Sequence, residues 1–133
     1  MEVYKSKFWT INFLEDIKTL NPIWFPISYE LTDSDYKSEM ETYTETVEKY
    51  KPQAALIDCL NFAYAIPPAI QEWTNEVLFP RILSAGVRKV AILLPAEIIT
   101  QLSLEQVMGE ALGLKFQTNY FSNYEQALKW INS

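Results

Sequence analysis

Ala54-Ala55-Leu56-Ile57-Asp58-Cys59-Leu60 follows Pro52 and is apolar at every position but Asp58. A run this short and this continuously apolar is expected of a strand buried on both faces, as in a parallel sheet. Downstream, Pro67 and Pro68 suit the first turn of a helix, with Ile66, Ile70, Trp73 and Val77 as its buried stripe. Pro80 removes the hydrogen bond to the Glu76 carbonyl, which predicts a kink or restart, and Gly86 ends the element. Val90-Ala91-Ile92-Leu93-Leu94, closed by Pro95, is a second buried strand. A helical region from Glu97 to Leu112, broken at Ser103 and capped by Gly113, leads to a more polar strand, Lys115 to Phe121, placed nearer an edge. Ser122 and Glu125 form a capping box for a last helix lined by Tyr124, Ala127, Leu128 and Ile131. Strands separated by helices run parallel with right-handed crossovers.

Upstream, Phe8 to Phe13 alternates, with Trp9, Ile11 and Phe13 on one face and Thr10 and Asn12 on the other. A second extended segment, Lys18 to Ile27, contains Pro22 and Pro26, so its pairing is interrupted there or confined to an edge. Thr32 and Asp35 make a capping box, and Tyr36, Met40, Tyr43, Val47 and Tyr50 form one apolar stripe before Pro52 stops the helix. The fold class is α/β: a mixed, mostly parallel sheet of about five strands with about four flanking helices. No repeat, low-complexity tract or Gly/Ser linker divides the chain, and its 133 residues suit one domain spanning 1–133.

Composition removes chemistry. The chain has no His, one Cys and three Gly. That excludes a Ser-His-Asp triad, a Cys-His dyad, imidazole metal ligands and a CxxC redox pair. Gly86, Gly109 and Gly113 do not make a phosphate loop or a GxGxxG turn. No cofactor or metal is implied. A net charge of −6 speaks against nucleic acid. The densest charge is acidic: Glu30, Asp33, Asp35, Glu39, Glu41, Glu45 and Glu48, read as a solvated helix face or a docking surface for a basic partner. The start lacks the apolar core of a signal peptide, no apolar stretch approaches the ~20 residues of a membrane span, and a lone Cys fits a reducing cytoplasm.

In an open α/β sheet, ligands sit outside the carboxyl ends of the parallel strands. There the unusual segment is Asn61-Phe62-Ala63-Tyr64-Ala65-Ile66-Pro67-Pro68, apolar and aromatic where polar turn residues are ordinary. Phe62 and Ile66 either plug the top of the core or form a wall of an apolar pocket or partner-binding patch. Asp58 reads as a strand-end carboxylate bonding loop amides; an acid/base role lacks a second member. Cys59 has no cation to activate it and reads as packed. Trp73 and Trp130 fall on inner helical faces, whereas Trp9 and Trp24 are placed to line an end cavity.

The order of elements resembles the STAS domain superfamily, the anti-sigma-factor-antagonist-like fold, and in particular its small stand-alone members. The resemblance rests on Leu31-Thr32-Asp33-Ser34-Asp35-Tyr36, Ala55-Leu56-Ile57-Asp58, Arg88-Lys89-Val90-Ala91-Ile92 after Gly86, and Phe121 to Ile131, and it covers Phe8 to the end. It implies a non-catalytic regulatory or protein-interaction module that binds a protein partner around the loop after the Asp-bearing strand. In that family a regulatory phosphoserine lies in the same region. Here the segment from Asp58 to Trp73 has no Ser or Thr, and Tyr64 is its only hydroxyl. The binding surface expected is Asp58, Asn61, Phe62, Tyr64 and Ile66. The alternative is a binder of a small apolar, lipid-like ligand at the strand carboxyl ends, and a homodimer through an apolar helix face is open.

Overall fold

A computed structural model describes residues 1–101 and 117–133. Its six-stranded sheet has the order β1-β2-β3-β4-β5-β6. The strands are β1 (Glu2–Lys5), β2 (Trp9–Leu14), β3 (Thr19–Trp24), β4 (Ala54–Asp58), β5 (Lys89–Leu93) and β6 (Gln117–Phe121). Pairing is antiparallel from β1 to β3 and parallel from β3 to β6. The helices are α1 (Asp33–Tyr50), α2 (Pro68–Trp73), α3 (Phe79–Ser84), α4 (Ala96–Gln101) and α5 (Tyr124–Ile131). β6 is an edge strand, as its polarity predicts. The helical reading of 97–112 beyond Gln101, the break at Ser103, the cap at Gly113 and the first two residues of the last strand lie outside the described residues.

The period-two alternation of β4 and β5 sorts their side chains into two cores. Val90 and Ile92 join Trp9, Ile11, Leu20 and Trp24 under α1, α2 and α3. Ala54, Leu56, Ala91 and Leu93 pack on the opposite face against Ala127 and Ile131 of α5. The small alanines let α5 approach the sheet closely.

Of four sequence expectations, one holds and three need correction. β1 makes a sixth strand that the reading of about five omitted. The expectation for Pro22 is the one that holds: it lies in an internal strand, and its pairing with β4 is interrupted there. The β3–β4 partners are Thr19↔Ala54 and Leu20↔Ala55, resuming at Ile23↔Asp58. In such a ladder the Leu56 carbonyl faces position 22, where proline has no N–H. The buried Asn21 carboxamide donates to that carbonyl instead, at 2.7 Å. Third, Val77 is 45% exposed, and the buried face of its element runs Ile70, Thr74, Leu78, Ile82. The cause is a π turn over Thr74–Leu78, in which the Phe79 N–H bonds the Thr74 carbonyl. It adds a residue to the turn just before Pro80 restarts the helix. Fourth, α5 is capped by Asn123, whose side chain accepts the Gln126 N–H at 3.0 Å, rather than by Ser122.

The Thr32–Asp35 capping box is present in both directions, at 3.0 and 3.1 Å. The acidic run is mostly a solvated face, and several of its members also make contacts within the domain. Glu39 is buried and accepts hydrogen bonds from Tyr4 (2.6 Å) and Ser6, tying α1 to the β1–β2 hairpin. Glu48 takes both arms of the Arg81 fork at 2.7 and 3.0 Å, Glu41 takes a third N–H at 2.6 Å, and together they clamp α3 to α1. Glu30 pairs with Lys7 at 2.7 Å. Of these acids only Glu39 is buried; the others pair at the surface, where an ion pair contributes little.

Candidate functional site

After Asp58 the chain leaves the sheet and crosses toward α1. The Cys59 N–H still reaches the Leu93 carbonyl at 3.0 Å, and the Phe62 N–H turns back onto the Cys59 carbonyl at 3.2 Å. Fully buried Ser28 then brackets the loop: its hydroxyl donates to the Asn61 carbonyl at 3.3 Å and accepts the Ala63 N–H at 2.9 Å. Thus polar backbone is satisfied in a segment whose side chains are almost all apolar.

The side chains of this loop divide by direction. Phe62 packs on Trp24 with ring centroids 4.8 Å apart, and Tyr64 stacks on Tyr36 at 4.9 Å. The Tyr64 hydroxyl donates to Asp33 at 2.5 Å, fastening the loop to the first turn of α1. Burial and then the Asp33 carboxylate push this phenol up to about 12. Phe62, Tyr64 and Ile66 are half-buried, while Leu60, Asn61, Ala63 and Ala65 are exposed.

Beneath the inward side chains lies a cavity of about 220 Å³ between the sheet and the helices. Trp9, Trp24, Tyr36 and Tyr43 form its aromatic floor, and Phe62 and Ile66 form the loop wall. Gln71, Thr74 and Asn75 supply the polar lining from α2 and the π turn. The Gln71 carboxamide is committed to the Ile66 carbonyl at 3.0 Å, and the Thr74 hydroxyl to the Ile70 carbonyl at 2.8 Å. Trp9 stacks on Trp24 at 4.0 Å, while its indole N–H is buried without a hydrogen-bond partner. Burial raises the phenols of Tyr36 and Tyr43 well above their ordinary value and pushes the Cys59 thiol up to about 12. Cys59 lines the cavity but is held as an inert thiol.

The five sequence-predicted residues therefore occupy different places. Phe62 and Ile66 meet at the cavity wall, and Tyr64 staples the loop outside it. Asn61 is exposed, and Asp58 stands apart from the cavity lining, its carboxylate accepting the Leu60 N–H at 3.1 Å. Ser28, Tyr36, Tyr43 and Asn75 escape sequence reading because their contacts to the loop and cavity are made across the fold. Among the described residues no group of three or more His, Cys, Asp or Glu is placed to hold a metal ion. No helix among them is long and apolar enough to cross a membrane.

Burial raises the Asp58 pKa, partly offset by the Leu60 N–H. Between the unfolded and folded values the native state binds the extra proton, so stability falls as pH rises through that window and the full cost stands above it. Asp58→Asn keeps an acceptor for Leu60 and removes the charge. We expect it to melt above the parent at about pH 7, with the advantage gone near about pH 3. Thermal unfolding across pH checks this; a parent that melts higher at neutral pH contradicts it.

A six-stranded mixed sheet, helices on both faces and an aromatic loop after an Asp-ended strand define an α/β domain of the anti-sigma-factor-antagonist class. The family model for SpoIIAA-like domains matches residues 23–132, and the chain belongs to that family. The match begins at Ile23, later than the Phe8 to which the sequence resemblance reaches, so the hairpin that supplies Trp9 precedes it. No curated protein and no solved structure matches the chain.

Proposed function

We propose that this domain is a non-catalytic STAS-type interaction module whose protein partner docks on the carboxyl end of the sheet. One observation carries the reading. Of the six large hydrophobic side chains exposed among the described residues, four, Tyr29, Leu60, Ile98 and Tyr124, each lie in the segment that follows one of the strands β3 to β6, the other two being Met1 and Val77. Exposed apolar groups gathered at one end of a domain mark an interaction surface. The Asp58 charge helps to raise the Tyr124 phenol, consistent with both lying at that end. The family supports regulation through protein contact, and the absence of His supports a role without catalysis. No Ser or Thr lies between Asp58 and Trp73, so docking on this loop works without a phosphoserine there. The lone Cys suits action in a reducing cytoplasm.

Leu60→Asp and Tyr124→Asp place charge on that surface without touching either core. Each is expected to weaken capture of the partner from native lysate at least about tenfold, the scale of a buried interface anchor. Capture of the same proteins at parental strength by both variants, with parental melting temperatures, would refute the surface. The cavity favours a second reading, in which the domain binds a small apolar molecule.

A further inference from the structure

The second reading leaves the ligand's chemistry open, and the following deepens it. We propose that the cavity beneath the 61–66 loop is a site for a small uncharged molecule built around one ring and bearing a single hydrogen-bonding group. Size sets the first limit. A cavity of ~150 Å³ holds benzene, so by proportion the 220 Å³ here holds on the order of nine non-hydrogen atoms. A full lipid acyl chain exceeds it; a substituted ring does not.

Lining sets the second limit. Among the described residues no Lys, Arg, Asp or Glu lines the cavity, and its floor is aromatic. A carboxylate or ammonium entering it loses its hydration and gains no counter-charge, which costs several kcal/mol. The raised Cys59 thiol reports the same intolerance of charge.

The polar groups set the third limit. Gln71 and Thr74 already bond backbone carbonyls, which leaves the Asn75 carboxamide in the π turn and the unpartnered Trp9 indole N–H on the floor to meet one ligand hydroxyl or similar group. π turns inside helices recur at functional sites. This one lies just before Pro80, which has no N–H to donate, and Thr74 and Asn75 in it line the cavity. A few polar partners amid aromatic walls are the usual constitution of a small-molecule pocket.

The experiment uses the intact chain and three probes of similar size, namely benzyl alcohol, benzoate and benzylamine at neutral pH. Binding is read from amide NMR shifts at Phe62, Thr74 and Asn75 and from the rise in melting temperature. Benzyl alcohol is expected to saturate these shifts, with both charged probes at least about tenfold weaker. Cys59→Met, which adds bulk to the cavity, is expected to reduce benzyl alcohol binding while the domain stays folded. Should that variant fail to fold, Asn75→Leu must weaken benzyl alcohol more than toluene. Equal binding of charged and uncharged probes overturns the proposed ligand class and leaves a cavity-ligand reading standing. Absence of shifts with all three probes and with toluene overturns both.

Discussion

Trp24→Ala is expected to lower the unfolding free energy by about 3–5 kcal/mol, the cost of truncating a large aromatic in a packed core. The side chain is 3% exposed and stacks on Trp9, with Tyr36 and Phe62 as further ring neighbours. Its loss removes apolar burial and the ring–ring contacts, and enlarges a cavity that already exists, so collapse around the gap is limited. Against a typical total of about 5–15 kcal/mol, that is a large part of the stability. The loop suffers as well, because Phe62 loses the ring it leans on. Trp24→Phe keeps an aromatic in place and is expected to cost much less. Urea unfolding measures both; an alanine variant within about 1 kcal/mol of the parent would mean that the aromatic floor is not part of the stabilising core.

Asn21 gives the second large effect. Asn21→Leu keeps the four-atom branched shape with a bulkier end, but strips the Leu56 carbonyl of its donor, and a buried unsatisfied carbonyl costs about 1–3 kcal/mol. The loss is not repaired locally, because the neighbouring residue is proline. Pro22→Ala supplies a backbone N–H facing the same carbonyl. On its own it gives up packing at a buried position, but it is expected to offset part of the damage from Asn21→Leu. The double variant should then be more stable than the sum of the single losses, with a coupling of about 0.5–3 kcal/mol. Additive losses would show that the carboxamide does not stand in for the missing ladder donor.

What the sequence revealed follows the range of the interactions. β2, β4, β5 and the α1 capping box are written in neighbouring residues, through alternation, continuous apolarity and a Thr-x-x-Asp spacing. β1 has four residues with charged ends and no turn signal, so it exists only because β2 offers an edge. A regular 3.6-residue period puts Val77 inward; the π turn moves the inward positions to Thr74 and Leu78. Glu39 belongs by composition with exposed acids, and only folding brings Tyr4 and Ser6, 35 and 33 residues away, to its carboxylate. The 61–68 loop was conspicuous by its aromatics. Which of them turn inward depends on Ser28 and Tyr36, on other elements altogether.

Site-specific photo-crosslinking tests the central claim, that the carboxyl end of the sheet is the binding face. A benzophenone amino acid is placed at Leu60 or Tyr124, and at exposed Lys51 or Arg88 near the amino ends of β4 and β5. Irradiation in native lysate is predicted to give the same discrete adduct from positions 60 and 124 and none from 51 and 88. An adduct formed from 51 or 88, with none from 60 and 124, would contradict the account.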